Sequence, residues 1–228
     1  MENLDARVLR SKAPIVSANA APAITAPKKT AAQLAEKDDI IASVSDSEYQ
    51  YILNSISGSD PLDVEGITYN IETRYTGTRH NEVVGEYLFN YLKDLGFEAS
   101  YQAFLYNGSP ARNIIGVKRG ASDDIVVVGA HMDSTSNQPT TDAPGAIDNG
   151  SGTVGVLLAA QAFANVSAHN TVHFVLFGVE EQGLIGSEYY VSQLESNGHN
   201  VVNALVMDMI GYSSSYVGVM IEGVSDVR

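Results

Sequence analysis

Residues 174–187 read FVLFGVEEQGLIGS. The first six form an apolar run of strand length. Successive apolar residues place side chains on both faces of a sheet, as in strands covered by crossover helices on either side. The run ends in two adjacent carboxylates, Glu180 and Glu181, and residues 185–196, IGSEYYVSQLES, follow as a helix. An unpaired carboxylate is costly to bury, so a pair at the end of a core strand marks that end for chemistry.

The same alternation extends in both directions. Residues 125–133 (IVVVGAHMD) read as a buried strand, 153–164 (TVGVLLAAQAFA) as a helix and 200–211 (NVVNALVMDMIG) as another strand. Upstream, 97–106 and 113–118 form a strand pair. Val83, Val84, Tyr87, Leu88, Tyr91 and Leu92 share one helical stripe, which Gly96 stops. Residues 45–57 make a short helix with acids in its first turn, and 216–223 (YVGVMIEG) one further strand. Together these predict an α/β fold, a three-layer sandwich on a mostly parallel mixed central sheet. Residues 1–44, Ala/Pro/Lys-rich over most of their length, are expected to be a disordered tail or pro-region linker, and 45–228 a single domain.

Charge narrows the partners. The net charge is -14, and residues 38–228 hold 7 Lys/Arg against 24 Asp/Glu, so nucleic acid and anionic membrane are poor partners. From residue 120 to 227 there is no Lys or Arg, against twelve Asp/Glu. Carboxylates that cluster in this half must be balanced by protons, by cations from elsewhere in the chain, or by metal. The absence of cysteine excludes disulfides, thiolate ligands and a cysteine nucleophile. No apolar run approaches the ~20 residues of a membrane span, and no clear signal-peptide core precedes the small residues near position 20.

In such folds ligands sit beyond the carboxyl ends of the strands. His131 and Asp133 end one predicted strand, Glu180 and Glu181 a second, and Asp208 lies near the end of a third; Asp148 sits in the loop APGAIDNGSG. Each has a plain structural reading, as a turn former, a helix cap or a first-turn charge. Their convergence on one sheet edge is what that reading leaves to chance. Nitrogen and oxygen donors without thiolate suit zinc, cobalt or manganese.

VVVGAHMDS, APGAIDNGSG, FVLFGVEEQGLIGSEYYV and VVNALVMDMIGY, in this order, resemble the successive motifs of the M28 family of zinc aminopeptidases. RYTGTR and ARNIIGVKRG are similar to the stretch that precedes them in that family. The resemblance covers roughly residues 70–212 and implies a zinc-exopeptidase fold with two zinc ions. It places His131 and Asp208 on one ion, Asp148 as a bridge and Glu181 on the second. It makes Glu180 the general base and Asp133 the acceptor of the second ring N–H of His131, and it implies a cis peptide between Asp148 and Asn149. The second zinc of the family has a further histidine ligand after the Asp208 motif, and no histidine follows His199 here. A C-terminally incomplete domain is therefore expected. Peptides with a free N-terminus are the implied substrates, and an extracellular location follows from the resemblance. A glutaminyl-cyclase-like enzyme with one zinc, and a non-catalytic fragment, are the alternatives.

Overall fold

The computed structural model describes residues 31–212, with side chains from residue 37 onward. The strand expected at 216–223 and most of the expected tail lie outside the described residues. The last part of that tail, Ala31–Ala42, is a helix, α1. Helix α2, Asp46–Ile56, begins at Ser45, whose hydroxyl accepts the Glu48 N–H as an N-cap. A small hairpin of β1 (Leu62–Val64) and β2 (Ile67–Tyr69) follows, for which the sequence pattern held no expectation. Helix α3, Arg79–Asp94, is capped by Thr78 and carries the apolar stripe read from the sequence.

The rest is β3 (Glu98–Tyr106), β4 (Ser109–Lys118), β5 (Ser122–His131), α4 (Gly152–Phe163), β6 (Asn170–Phe177), α5 (Ile185–Ser196) and β7 (Val201–Val206). The five strands form one sheet in the order β3-β4-β6-β5-β7. β4 is antiparallel to both β3 and β6, whereas β5 is parallel to both β6 and β7. Only β4 runs against the others, so the expected mostly parallel mixed sheet is what forms.

Both faces are covered because the apolar runs alternate across them. Ile114, Phe174 and Leu176 pack with Val84, Leu88 and Leu92 of α3 and Val154 and Leu157 of α4. Ile115, Val175 and Phe177 point the other way, onto Tyr190 and Leu194 of α5. The adjacent pairs Ile114/Ile115 and Phe174/Val175 thus serve opposite layers, which explains an apolar run with no polar alternation. Among the described residues β7 pairs on one side only, and Val202, Leu205 and Val206 are exposed. Because β5, β6 and β7 share a direction, their carboxyl ends share an edge, where the acidic motifs meet.

Candidate metal centre

His131 is the last residue of β5, buried, with Nε2 facing three carboxylates that come from three different segments. Asp148 Oδ1, from the loop before α4, lies 3.2 Å away; Asp208 Oδ1, beyond β7, 3.6 Å; and Glu180 Oε2, beyond β6, 3.8 Å. Ligand atoms of His131, Asp148 and Asp208 all lie within 4.8 Å of one another, as do those of His131, Glu180 and Glu181. The structure therefore gathers the residues singled out in the sequence around one imidazole. It does not divide Glu180 from Glu181, since both belong to the second group.

The adjacent glutamates do not sit in an extended segment. Val179 has φ 61°, in the left-handed region that β-branched residues seldom enter, and turns the chain sharply after β6. The Leu184 and Ile185 N–H groups donate back to the Glu180 and Val179 carbonyls, so residues 179–185 close into a tight turn. Its N-terminal side is fixed by Asp133, which is fully buried. Asp133 Oδ1 accepts the Glu180 N–H at 3.1 Å; Oδ2 accepts the Glu181 N–H at 3.3 Å and the Thr76 hydroxyl at 3.2 Å.

This corrects the contact expected between Asp133 and His131. The ring Nδ1 is 3.1 Å from the Asp133 main-chain carbonyl oxygen and 3.8 Å from its carboxylate. A carbonyl acceptor holds a proton on Nδ1 as well as a carboxylate would, so that Nε2, on giving up its own proton, presents a lone pair to a cation. The Asp133 carboxylate instead orients the glutamate turn.

The sequence pattern gave the Asn149 side chain no role, yet it joins the two aspartate segments. Its amide nitrogen donates to the Met207 carbonyl at 2.9 Å, and its oxygen accepts the Gly152 and Met209 N–H groups. The glycine at 152 is required, because a Cβ there would overlap both the Asn149 amide and the Met207 carbonyl oxygen. The Asp148–Asn149 peptide is cis. Asn113, a polar residue followed directly by Ile114 and Ile115, is a legible signal: buried in β4, it accepts the Gly178 N–H and donates to the Gly186 carbonyl, bracketing the glutamate turn. The other histidines lie away from the cluster in role. His173 bonds the Tyr190 hydroxyl at 2.8 Å, and His80 Nδ1 accepts the Glu72 N–H.

The electrostatics are those of a cation site. Among the described residues no Lys or Arg pairs with Asp133, Asp148, Glu180, Glu181 or Asp208; the ion pairs of the cluster all involve His131. Burial opposes charge on His131, but hydrogen bonds to Asp148 and Asp208 and the charges of Asp133 and Glu180 outweigh it, pushing its pKa up to about 10. Burial, then the Asp148 charge, raises Glu181 to about 7. Burial likewise raises Glu180, reinforced by Asp133, Asp208 and Asp148. Without metal the cluster holds protons, and a divalent cation would displace them. One imidazole nitrogen with carboxylate oxygens, close enough to share an ion and lacking a basic partner, fits zinc.

A pH signature follows. The raised His131 pKa contributes stability that is complete below about 6.5 and is lost as pH rises toward about 10. Glu181, whose protonated form the fold prefers, loses its contribution between 4.5 and about 7. Both act in one direction, so the melting temperature in chelator is expected to fall from pH 5 to pH 8, and the increment produced by zinc to grow. A zinc increment that shrinks with rising pH would contradict this account.

Residues 113–225 match the model of peptidase family M28. Over this segment the chain belongs to that family. The leucine aminopeptidase 1 of Trichoderma harzianum is 34% identical over 170 residues, covering 66% of this chain and 43% of that protein. The chain spans less than half the length of the curated relatives it matches. Two solved structures share the fold at TM-score 0.58 and 21% identity, each covering 72% of this chain and 61% of theirs. One is a Zn-dependent exopeptidase from Parabacteroides distasonis, the other a glutaminyl cyclase from Bacteroides thetaiotaomicron bound to N-acetylhistamine. The M28 segment contains every residue of the acidic cluster.

Proposed function

We propose that the protein is a zinc-dependent aminopeptidase. The observation that carries this reading is the approach of carboxylates from three separate segments to within 3.2–3.8 Å of His131 Nε2, with no basic side chain among the described residues paired to them. The relationship to leucine aminopeptidases supports it. His131, Asp148 and Asp208 would hold one zinc, and Glu181 a second with Asp148 shared between them. Zinc supplies Lewis acidity and lowers the pKa of water from about 16 toward about 7. Glu180, half-buried and biased toward protonation, takes a proton from the water that attacks the scissile carbonyl carbon and passes it to the departing amine as the C–N bond breaks. Unpaired carboxylates at the site favour a substrate with a cationic α-amino group over one with an anionic C-terminus.

The glutaminyl cyclase fold neighbour keeps a second reading in view, in which a single zinc serves intramolecular cyclisation of N-terminal glutamine. The test is residue release from peptides with free and acetylated N-termini, in chelator and in zinc. Release only from free N-termini and only with zinc is expected. Cyclisation of glutamine without peptide cleavage would favour the cyclase. Bound zinc with neither reaction would leave a non-catalytic module.

Export from the cell is part of the proposal and has its own structural correlate. Asn107 and Asn165 head Asn-X-Ser sequons in exposed turns and could carry glycans. Asn149 also heads such a sequon but is buried and fully hydrogen-bonded, so it would stay unmodified. No described helix is long and apolar enough to cross a membrane.

A further inference from the structure

Arg74, between β2 and α3, is fully buried. Its guanidinium hydrogen-bonds no carboxylate: Nε donates to the Met132 carbonyl at 3.0 Å, Nη1 to the Pro144 carbonyl, and Nη2 to the Gly145 carbonyl at 2.9 Å. Its main chain continues the same seam. Arg74 N–H donates to the Ala143 carbonyl at 2.9 Å, and its carbonyl accepts the Ser134 N–H and the Asn81 amide. Met132 and Ser134 flank the end of β5 just past His131, whereas Ala143, Pro144 and Gly145 open the loop that presents Asp148.

A buried cation is expensive, and an apolar side chain would fill this interior at lower cost. The arginine is explained by its shape and position. A planar fork with several donors can hold carbonyls from two segments at fixed separation, which a lysine ammonium, a single point charge, cannot do. Its charge also acts on the acidic cluster: burial lowers the Arg74 pKa to about 10, against the opposing pull of Asp133, Asp148 and Glu181, so it stays charged at neutral pH. Arg74 is a cation from outside residues 120–227, one of the three kinds of balance the charge distribution allows. The surrounding fit is close. At Gly145, φ 57°, an added Cβ would overlap the Ser134 Cβ and approach Arg74 Nη2 to 3.1 Å.

We infer that Arg74 is a positioning residue which clamps the Asp148 loop to the end of β5 and so sets the separation between Asp148 and His131. Its consequence for metal affinity rests on the metal-centre reading; the clamp itself does not.

The test uses the full metal-free chain, with Arg74→Lys and Gly145→Ala alongside the unaltered protein. Hydrogen–deuterium exchange by mass spectrometry reads the loop, including the Gly150 N–H, which is bonded to the Gly145 carbonyl at 2.9 Å. Cobalt(II) titration, followed by its visible absorption, reads affinity. Arg74→Lys is expected to speed exchange at residues 143–152 by about tenfold or more, with β5 and β6 unchanged, and to weaken cobalt about 10–100-fold. Gly145→Ala, which leaves Arg74 in place but displaces the loop it holds, is expected to do the same. Loop exchange at the unaltered rate in Arg74→Lys would overturn the clamp. So would a uniform rise across the sheet, or failure of both variants to fold, since each makes Arg74 a general stabiliser. A local exchange response in a chain that binds no cobalt even when unaltered would support the clamp and overturn the metal-centre reading.

Discussion

Glu180→Gln is expected to bind zinc as the unaltered chain does and to lose turnover by about 10²–10⁴-fold, whereas Glu181→Gln is expected to lose zinc. The two residues are adjacent, both partly buried, and both within reach of His131, so proximity alone gives them one role. The proposed division follows what the resemblance to the M28 family implies. An amide at position 180 keeps nearly the same shape and can still accept a hydrogen bond, but it cannot take up the proton of the attacking water. At position 181 the same change removes a negative charge from a ligand group, which costs affinity directly. Metal content by mass spectrometry and peptide release, measured on the same preparations, separate the cases. Equal loss of metal in the two variants would show that base and ligand are not divided in this way.

The second large effect is expected from a residue that touches neither ring nitrogen of His131 closely with its side chain. Asp133→Asn should weaken zinc or cobalt binding about 10–100-fold, the usual consequence of disturbing a group that orients ligands. The carboxylate offers an oxygen to each of two successive main-chain N–H groups, at 3.1 Å and 3.3 Å, and a third bond to the Thr76 hydroxyl. An amide has one oxygen. Its NH2 group must then face a main-chain donor, and a buried N–H loses its acceptor at a cost of roughly 1–3 kcal/mol. The turn can relieve this only by moving, and it carries both glutamates. Thr76→Val removes the hydroxyl alone and is expected to change affinity by less than about threefold, in keeping with the smaller worth of one neutral hydrogen bond. Asp133→Asn binding as tightly as the unaltered chain would mean that Val179 and the residues 179–185 hold the turn unaided.

Much of this was legible along the chain. Uninterrupted apolar runs between amphipathic helices signalled a sheet covered on both faces, and α5 spans the residues its pattern indicated, Ile185–Ser196. Boundaries elsewhere moved by a few residues: β5 starts at Ser122 and stops at His131, so Met132 and Asp133 leave the strand and enter the turn region where their hydrogen bonds are needed. The hairpin of β1 and β2 leaves no mark in the sequence pattern because each strand has only three residues, too few for a period of two to show.

The site divides in the same way. Residue type and position after a strand depend on local sequence, so His131, Asp148, Glu180, Glu181 and Asp208 are legible as candidates along the chain. The charge distribution likewise left the balance to protons, to cations from outside residues 120–227, or to metal. The sequence by itself determined which donors are available and that no Lys or Arg lies near them along the chain. Only the tertiary structure decided how they are held: that Asp133 serves the glutamate turn, that Asn149 links the loop of Asp148 to that of Asp208, and that Arg74 grips carbonyls 58 to 71 positions away. Those contacts are to main-chain atoms, which every residue carries alike. No pattern of side chains can announce them, and they exist only once the sheet has brought distant segments together.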